Sequence, residues 1–335
     1  MTQRPANAKI TGVGCYVPEN ILSNKDLERI VDTSDEWIMS RTGIEKRHIA
    51  KDGETTSDLA TKAAAAVLEE TGVAATDVEA ILVCTVTPDM LFPATACLVQ
   101  DKIGAKGAWG FDLVAACSGL LYGLSTGAQL VSSGSHKRVL VIGADTMSRI
   151  IDYEDRSTCV LFGDGAGAFM LEAAPNGDGG LIDFINEVDG SGGQYLCMPA
   201  GGSAKPATHD TVDARLHFVH QDGRQVYRYA VHKMVELCEA VLKRNGFTIN
   251  DIDLFVPHQA NRRIIVAAAE RMGLPIEKAM INIGQYGNTT GGTIPLATRD
   301  ALNSGRLKKG DLVLMAAVGA GFTAGVSLWR WTYGP

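Results

Sequence analysis

The stretch Phe-Asp-Leu-Val-Ala-Ala-Cys-Ser-Gly-Leu, residues 111–120, joins a strand-like apolar run to the beginning of a helix. The run stops at Cys117, and small and apolar residues then continue to Gly134, a length typical of a helix. A cysteine on a strand-to-helix turn lies at the positive end of the helix dipole, which lowers a thiol pKa from about 8.5 toward neutrality. We therefore expect Cys117 to be a nucleophile, with a buried and inert cysteine as the alternative.

The rest of the chain alternates between helix and strand patterns, which is typical of an α/β layered fold. Short Val, Ile and Leu runs separate helix-like segments at 55–71, 117–134, 223–245 and 259–273. Segments 138–171 and 311–326 resemble each other and predict a glycine-pinched β-hairpin at the end of each half. Because 335 residues exceed one ordinary core, we expect two similar halves, 1–175 and 176–335. Residues 186–222 lack periodicity and predict a long loop that lines or covers the site.

Two further segments carry polar groups that a thiolate attacking an acyl group would need. Asp-Leu-Phe-Val-Pro-His-Gln-Ala-Asn-Arg-Arg, residues 253–263, ends a short strand at His258 and then begins a helix. Gln-Tyr-Gly-Asn-Thr-Thr-Gly-Gly-Thr-Ile-Pro, residues 285–295, places Asn288 in a glycine-rich turn where the backbone can approach a ligand. Each residue alone has a structural interpretation, but the combination with Cys117 predicts acyl chemistry.

With these segments the chain resembles the thiolase superfamily and, within it, the β-ketoacyl-acyl-carrier-protein synthase III family. The resemblance extends from Val-Asp-Thr-Ser-Asp-Glu-Trp-Ile at 31–38, through Arg-Thr-Gly-Ile-Glu-Lys-Arg-His-Ile-Ala at 41–50, to Gly-Ala-Gly-Phe-Thr-Ala-Gly at 319–325. It implies a thiolase-like five-layer α-β-α-β-α fold made of two similar halves. It also implies that Cys117, His258 and Asn288 form a catalytic trio.

The activity that the resemblance implies is a decarboxylative Claisen condensation. Cys117 would attack an acyl-CoA thioester, while the backbone N–H groups of Cys117 and Ala320 stabilise the oxyanion. Malonyl-acyl carrier protein would lose carbon dioxide, with His258 and Asn288 donating hydrogen bonds to the resulting enolate. The carbanion would then attack acyl-Cys117 and give a β-ketoacyl carrier protein, which initiates fatty acid biosynthesis. No cofactor other than these substrates, and no metal, is expected.

The resemblance also assigns a CoA site. Trp37 and Arg156 match a pair suited to stacking on adenine, because an aromatic ring and a guanidinium both have flat faces. Thr33, Arg41 and Asn261 are further matches in that site.

The partners are expected to be acyl-CoA, acyl carrier protein and a second copy of the chain. A net charge of −7 disfavours nucleic acid, and an acidic carrier protein requires a local cluster of basic residues. The carrier-binding residues implied are Arg228, Gln259, Ala260, Asn261, Arg262, Arg263 and Arg271. Phe92 matches a residue that in relatives crosses a dimer interface to cap the acyl pocket, where a bulky cap favours short primers such as acetyl-CoA.

Two departures from the family pattern bear on the site. Residues 288–293 read Asn-Thr-Thr-Gly-Gly-Thr where the family commonly has Asn-Thr-Ser-Ala-Ala-Ser, which leaves the chain-length preference open. Ala320 replaces a frequent glycine, so its N–H can serve only if the turn does not require a positive φ.

The composition predicts a cytoplasmic protein that does not enter the membrane. The first residues lack a signal-peptide core, and no charge-free apolar stretch outside the glycine-rich core segments could span a bilayer. Seven cysteines without a Cys-x-x-Cys pair argue against a disulfide framework and against structural zinc.

Loose dinucleotide fingerprints at 163–168 and 319–324 precede strand-like runs, which disfavours a nucleotide cofactor. An acyl-thioester hydrolase, another acyltransferase and a polyketide-type priming enzyme on the same fold remain alternatives.

Overall fold

The computed structural model describes residues 7–174 and 179–334. The strands are β1 (Asn7–Tyr16), β2 (Asn20–Ser23), β3 (Lys46–Ile49), β4 (Ala80–Cys84), β5 (Trp109–Leu113), β6 (Arg138–Asp145), β7 (Gly165–Ala174), β8 (Gly180–Val188), β9 (Leu196–Cys197), β10 (His220–Gln221), β11 (Leu254–Pro257), β12 (Leu312–Gly319) and β13 (Thr323–Arg330). The helices are α1 (Asn24–Leu27), α2 (Asp35–Thr42), α3 (Thr56–Thr71), α4 (Thr95–Ile103), α5 (Gly119–Ser132), α6 (Arg156–Cys159), α7 (His209–Asp213), α8 (Gly223–Arg244), α9 (Arg262–Met272), α10 (Ile283–Tyr286) and α11 (Thr293–Asn303).

Two large sheets organise the chain. The first has the strand order β1-β7-β6-β4-β5, and the second has the order β11-β12-β13-β8. Each sheet contains a parallel pair, β4 with β6 and β11 with β12, and next to it an antiparallel pair, β6 with β7 and β12 with β13. The strands of the first sheet come from residues 7–174 and those of the second from residues 180–330.

Helices cover both sheets on both faces. Helices α3 and α4 bury Leu59, Val67 and Val99 against the outer face of the first sheet. Helices α5 and α11 lie between the two sheets and contribute Leu124 and Ala297 to the central core cluster. Helices α8 and α9 cover the outer face of the second sheet in a third cluster. This arrangement confirms the five-layer α/β fold.

Burial on both faces explains why these strands are apolar without alternation. Along β12, Val313 and Met315 point into the central cluster, whereas Leu312 and Leu314 point toward α8 and α9. The middle helix α5 approaches the first sheet closely at Gly123, where a Cβ would lie 2.5 Å from Cys84 Sγ. A larger residue there would force the helix away from the sheet.

The predicted helices are confirmed with ends shifted by a few residues, and two details differ. The second half ends in the predicted tight hairpin, formed by β12 and β13. In the described residues of the first half there is no tight hairpin, because residues 146–164, with α6 and part of the cavity wall, connect β6 to β7. Residues 186–222 contain short elements, among them α7, whose first turn is capped by Thr208. The expected boundary between the halves, at 175/176, lies outside the described residues.

Within residues 7–174 and 179–334, no helix has the length and apolar character needed to cross a membrane. The seven cysteines all lie in this part of the chain, and none of them forms a disulfide.

Candidate active site

Cys117 lies between β5 and α5, as the strand-to-helix pattern predicted. A 3-10 turn, Ala116–Ser118, leads directly into α5, and Ala116 has a φ of 47°. A non-glycine residue in this region is uncommon and marks a sharp local bend. Cys117 lines two cavities, and the residue is only 8% exposed.

The prediction that the helix end lowers the pKa of Cys117 is wrong for this environment. Burial, with a smaller contribution from the nearby Asp145, raises the pKa of the Cys117 thiol to about 12. That increase corresponds to roughly 4 kcal/mol, whereas a helix N-terminus contributes at most about 2 kcal/mol. The resting thiol is therefore protonated at neutral pH, and the thiolate has to form as a substrate is attacked.

His258 directly follows β11, and its backbone N–H donates to Ala316 O at 2.8 Å. Its Nδ1 lies 2.6 Å from Thr293 Oγ1, whereas its Nε2 is buried and has no hydrogen-bond partner among the described residues. Burial lowers the pKa of His258 to about 3. The imidazole is consequently neutral at pH 7, and one ring nitrogen can donate while the other accepts.

Asn288 lies in the turn that precedes α11. Its backbone is fixed by Asn288 N donating to Leu161 O at 2.9 Å and by Gly163 N donating to Asn288 O at 3.0 Å. Its side-chain Oδ1 accepts from Thr290 N at 2.9 Å, which orients the NH2 group away from Thr290. In the described residues the NH2 group makes no protein hydrogen bond, and Asn288 lines the cavity.

The glycines of this turn pack tightly against the first half of the chain. A Cβ on Gly291 would lie 3.2 Å from both Cys84 O and Gly143 Cα, and one on Gly292 would lie 3.2 Å from Gly165 O. Neither glycine lines a cavity beside Cys117, although the preceding Thr290 lines one of the two. Gly291 and Gly292, where the family commonly has two alanines, thus allow the turn to pack closely on the ends of β4 and β6.

The larger cavity, of about 710 Å³, brings the three catalytic candidates together. Cys117, His258 and Asn288 line its inner part. Of the predicted CoA residues, Trp37, Arg41 and Asn261 line it, whereas Thr33 and Arg156 do not. Arg156 nevertheless stacks over Trp37, with its Cζ 4.8 Å from the ring centroid.

A smaller cavity of about 140 Å³ is also lined by Cys117. Its lining is almost entirely apolar, which suits a short acyl chain: Val86, Met147, Ile150, Phe162, Leu196, Met198 and Val219. Ala320 also lines it and does not adopt a positive φ, so the alanine fits its turn. The neighbouring Gly319 is so close that a Cβ there would lie 2.7 Å from Cys117 N. Phe92 does not line this cavity and is 84% exposed.

The four arginines expected to bind a carrier protein are exposed, and one of them lines the larger cavity. Arg262, Arg263 and Arg271 lie on α9, and Arg228 lies on α8. Arg263 lines the cavity mouth, and its Cζ lies 5.6 Å from the Tyr227 ring centroid. The half-buried Ala260 and Asn261 line the same cavity.

The side chain of Gln259 does not belong to this exposed surface, and its expected role in carrier binding stays a prediction. Gln259 is 1% exposed. Its amide donates to Pro257 O and Met280 O at 2.8 and 3.0 Å, and accepts from Asn282 N at 3.0 Å. With its polar atoms used internally, Gln259 fixes the backbone that follows β11.

Sequence reasoning missed three polar residues that surround the trio. Thr293 contacts the His258 ring, Thr290 contacts the Asn288 amide, and the buried Asp145 contacts Thr290. A charged residue at the end of an apolar strand, in Val-Ile-Gly-Ala-Asp, was the available signal for Asp145.

Comparisons with known proteins agree with this arrangement. Two family models match, one described as 3-oxoacyl-[acyl-carrier-protein] synthase III over residues 111–190 and the other as its C-terminal part over residues 242–331. A beta-ketoacyl-[acyl-carrier-protein] synthase III from Solibacter usitatus is 63% identical, covering 97% of this chain and 99% of the relative.

Solved structures show the same relationship. A 3-oxoacyl-[acyl-carrier-protein] synthase III from Aquifex aeolicus has a TM-score of 0.89 at 43% identity, covering 97% of this chain and 100% of the other. The priming β-ketosynthase of a polyketide biosynthetic pathway has a TM-score of 0.91 at 32% identity, covering 100% and 99%.

Proposed function

Because this chain belongs to the β-ketoacyl-acyl-carrier-protein synthase III family, we propose that it condenses a short-chain acyl-CoA with malonyl-acyl carrier protein. The products are β-ketoacyl-acyl carrier protein, CoA and carbon dioxide, and the reaction initiates fatty acid biosynthesis. The observation that carries the proposal is the meeting of Cys117, His258 and Asn288 in one cavity. The higher identity to the Solibacter synthase than to the polyketide priming enzyme favours this role over a polyketide one.

In the first half-reaction, Cys117 is the nucleophile. Its sulfur attacks the acyl-CoA carbonyl, and the N–H groups of Cys117 and Ala320 stabilise the oxyanion. The thiol proton ends on the departing CoA sulfur, so His258 stays neutral; its Nε2, which has no hydrogen-bond partner among the described residues, lies in the same cavity. The apolar cavity of about 140 Å³ receives the acyl chain as CoA departs.

In the second half-reaction, the acyl-enzyme meets malonyl-acyl carrier protein. Loss of carbon dioxide leaves an enolate, which Asn288 and His258 stabilise by hydrogen bonds. An amide and an imidazole with a pKa near 3 suit this role, because neither changes its charge near neutral pH. The carbanion then attacks the acyl-Cys117 carbonyl and expels the thiolate.

The binding partners follow from the surroundings of this cavity. The adenine of CoA binds between Trp37 and Arg156, and the CoA site also includes Thr33, Arg41 and Asn261. The acidic carrier protein binds to four arginines, Arg228, Arg262, Arg263 and Arg271. The exposed side chains of Leu91 and Phe92 support a homodimer in which Phe92 caps the partner's acyl cavity. The seven cysteines form no disulfide in the described residues, which supports a location in the reducing cytoplasm.

The decisive experiment mixes the protein with acetyl-CoA and malonyl-acyl carrier protein and weighs both proteins by intact mass spectrometry. We expect an acetoacetyl group on the carrier protein, and neither acyl-enzyme nor product with Cys117→Ala. An acylated Cys117 without a ketoacyl carrier would point to a hydrolase or another acceptor. Reaction only with longer acyl-CoAs would point to a specialised priming pathway.

A further inference from the structure

Asp145, at the end of β6, is a buried carboxyl group that the proposed mechanism does not use. It is 1% exposed, and no cation pairs with it among the described residues. A buried carboxylate is costly unless hydrogen bonds replace its lost hydration. Five donors surround it, namely Thr85 Oγ1 at 3.0 Å, Val86 N at 2.8 Å, Thr87 Oγ1 at 3.1 Å, Gly291 N at 3.3 Å and Thr290 Oγ1.

These donors divide between the two carboxylate oxygens and between the two halves of the chain. Oδ1 accepts from Thr85, Val86 and Thr87, which follow β4 in the first half. Oδ2 accepts from Thr290 and Gly291, which belong to the turn that carries Asn288. One side chain therefore attaches the catalytic turn to the sheet that carries the nucleophile.

The turn is held in a conformation that threonine rarely adopts. Thr290 has a φ of 48°, in the left-handed region that is unfavourable for a β-branched residue. Strained backbone of this kind persists only where the surrounding contacts determine it. The contacts to Asp145 supply that constraint, and the turn backbone also lies directly on β6, where a Cβ on Gly143 would be 2.2 Å from Gly291 O.

The strained Thr290 in turn orients the Asn288 amide. Thr290 N donates to Asn288 Oδ1 at 2.9 Å, so the oxygen of the amide is occupied and the NH2 group is the part that faces the cavity. Were this bond lost, the amide could rotate and present its oxygen, which would repel a developing enolate.

From these contacts we propose that Asp145 is a positioning residue for the decarboxylative half-reaction. Through Thr290 and Gly291 it holds the turn 288–292 so that Asn288 offers its NH2 group beside Cys117. The proposal rests on the proposed condensing activity, and it assigns Asp145 no contact with substrate.

Asp145→Asn tests this role with almost no change in shape. The oxygen of the asparagine can still accept from Thr85, Val86 and Thr87. Its NH2 group then faces the N–H of Gly291, and two donors cannot form a hydrogen bond with each other. We expect condensation with malonyl-acyl carrier protein to fall about 10²-fold, the size of effect that a misplacement of 1 Å produces. Formation of acyl-Cys117 from acetyl-CoA should not slow.

Asp112→Asn is the matched control. Asp112 accepts from Thr95 N and Ala96 N, far along the chain from the turn, so its neutralisation removes comparable backbone hydrogen bonds. The control should condense at a rate near that of the unmodified protein. Equal loss of both half-reactions in Asp145→Asn, or an unchanged rate of condensation, would overturn the proposal.

A threonine pair keeps the test informative if Asp145→Asn does not fold. Thr290→Ser retains the hydroxyl that donates to Asp145, and Thr290→Val retains the shape without the hydroxyl. We expect the ratio of the condensation rate to the acylation rate to fall in the valine variant and to stay higher in the serine variant. Equal behaviour of the two variants would contradict the role of Asp145. Failure of the unmodified protein to condense would instead contradict the proposed function.

Discussion

The stacked pair Trp37 and Arg156 gives a quantitative prediction for CoA recognition. The guanidinium carbon lies 4.8 Å from the Trp37 centroid, and Arg156 also donates to Asp32 O at 2.9 Å. A flat adenine needs about 3.5–4.0 Å on each face, or about 7–8 Å in total. For adenine to bind between the two side chains as proposed, Arg156 has to move outward by about 2–3 Å. The cation–π contact that is then lost is worth only about 0.5–1 kcal/mol at an exposed site.

Trp37→Ala removes the face on which we propose that adenine stacks, a contact worth about 1–3 kcal/mol per base. The second-order rate constant for acylation of Cys117 by acetyl-CoA should fall about 5- to 150-fold. Acetyl-pantetheine, which has the same thioester but no adenine, should acylate the variant and the unmodified protein at equal rates. Trp37→Phe, which keeps an aromatic face, should recover most of the loss.

The assay is the time course of acyl-enzyme mass after rapid mixing with each thioester. An equal loss with both thioesters would refute the reasoning, because it would place the defect at the reacting centre. An unchanged rate with acetyl-CoA would show that Trp37 does not contact adenine.

Three other changes test separate parts of the site. Asn288→Asp keeps the oxygen that accepts from Thr290 N but removes the NH2 donor, so condensation should fall by about 10²–10³ while acylation persists. Wild-type condensation in this variant would exclude Asn288 as an enolate donor. His258 has a pKa lowered to about 3, so below pH 6.5 the unfolded chain binds a proton that the native state does not. The unfolding free energy should therefore fall by up to roughly 5 kcal/mol between pH 6.5 and pH 3, and His258→Gln should lack this component in denaturant titrations. Arg263→Glu should raise KM for malonyl-acyl carrier protein at low salt and leave the rate of acylation by acetyl-CoA unchanged. An equal loss of the acylation and condensation rates would argue against carrier-protein binding at Arg263.

The sequence predicted the fold well where a local pattern carries the information. An apolar run followed by the beginning of a helix placed Cys117 and His258 at equivalent strand ends, and both positions were found. The layer order came from the family resemblance, because apolar strands buried on both faces look alike whichever helices cover them.

The prediction failed where the outcome depends on three-dimensional burial. The helix dipole at Cys117 can be inferred from sequence, but the depth of the thiol, which decides its pKa, cannot. Gln259 lies next to exposed residues in the chain, and only the fold shows that its amide is turned inward. Asp145 and Asn288 are distant in sequence, so their connection through Thr290 could not be read from either segment.

The deep position of Cys117 also affects how the protein withstands oxidants. Peroxide and alkylating reagents attack the thiolate, and exposed thiols of low pKa are the ones converted to sulfenic and then sulfinic acid. A thiol that is 8% exposed, with a pKa raised to about 12, holds almost no thiolate at rest. We therefore expect Cys117 to react slowly with peroxide and alkylating reagents when no thioester is bound.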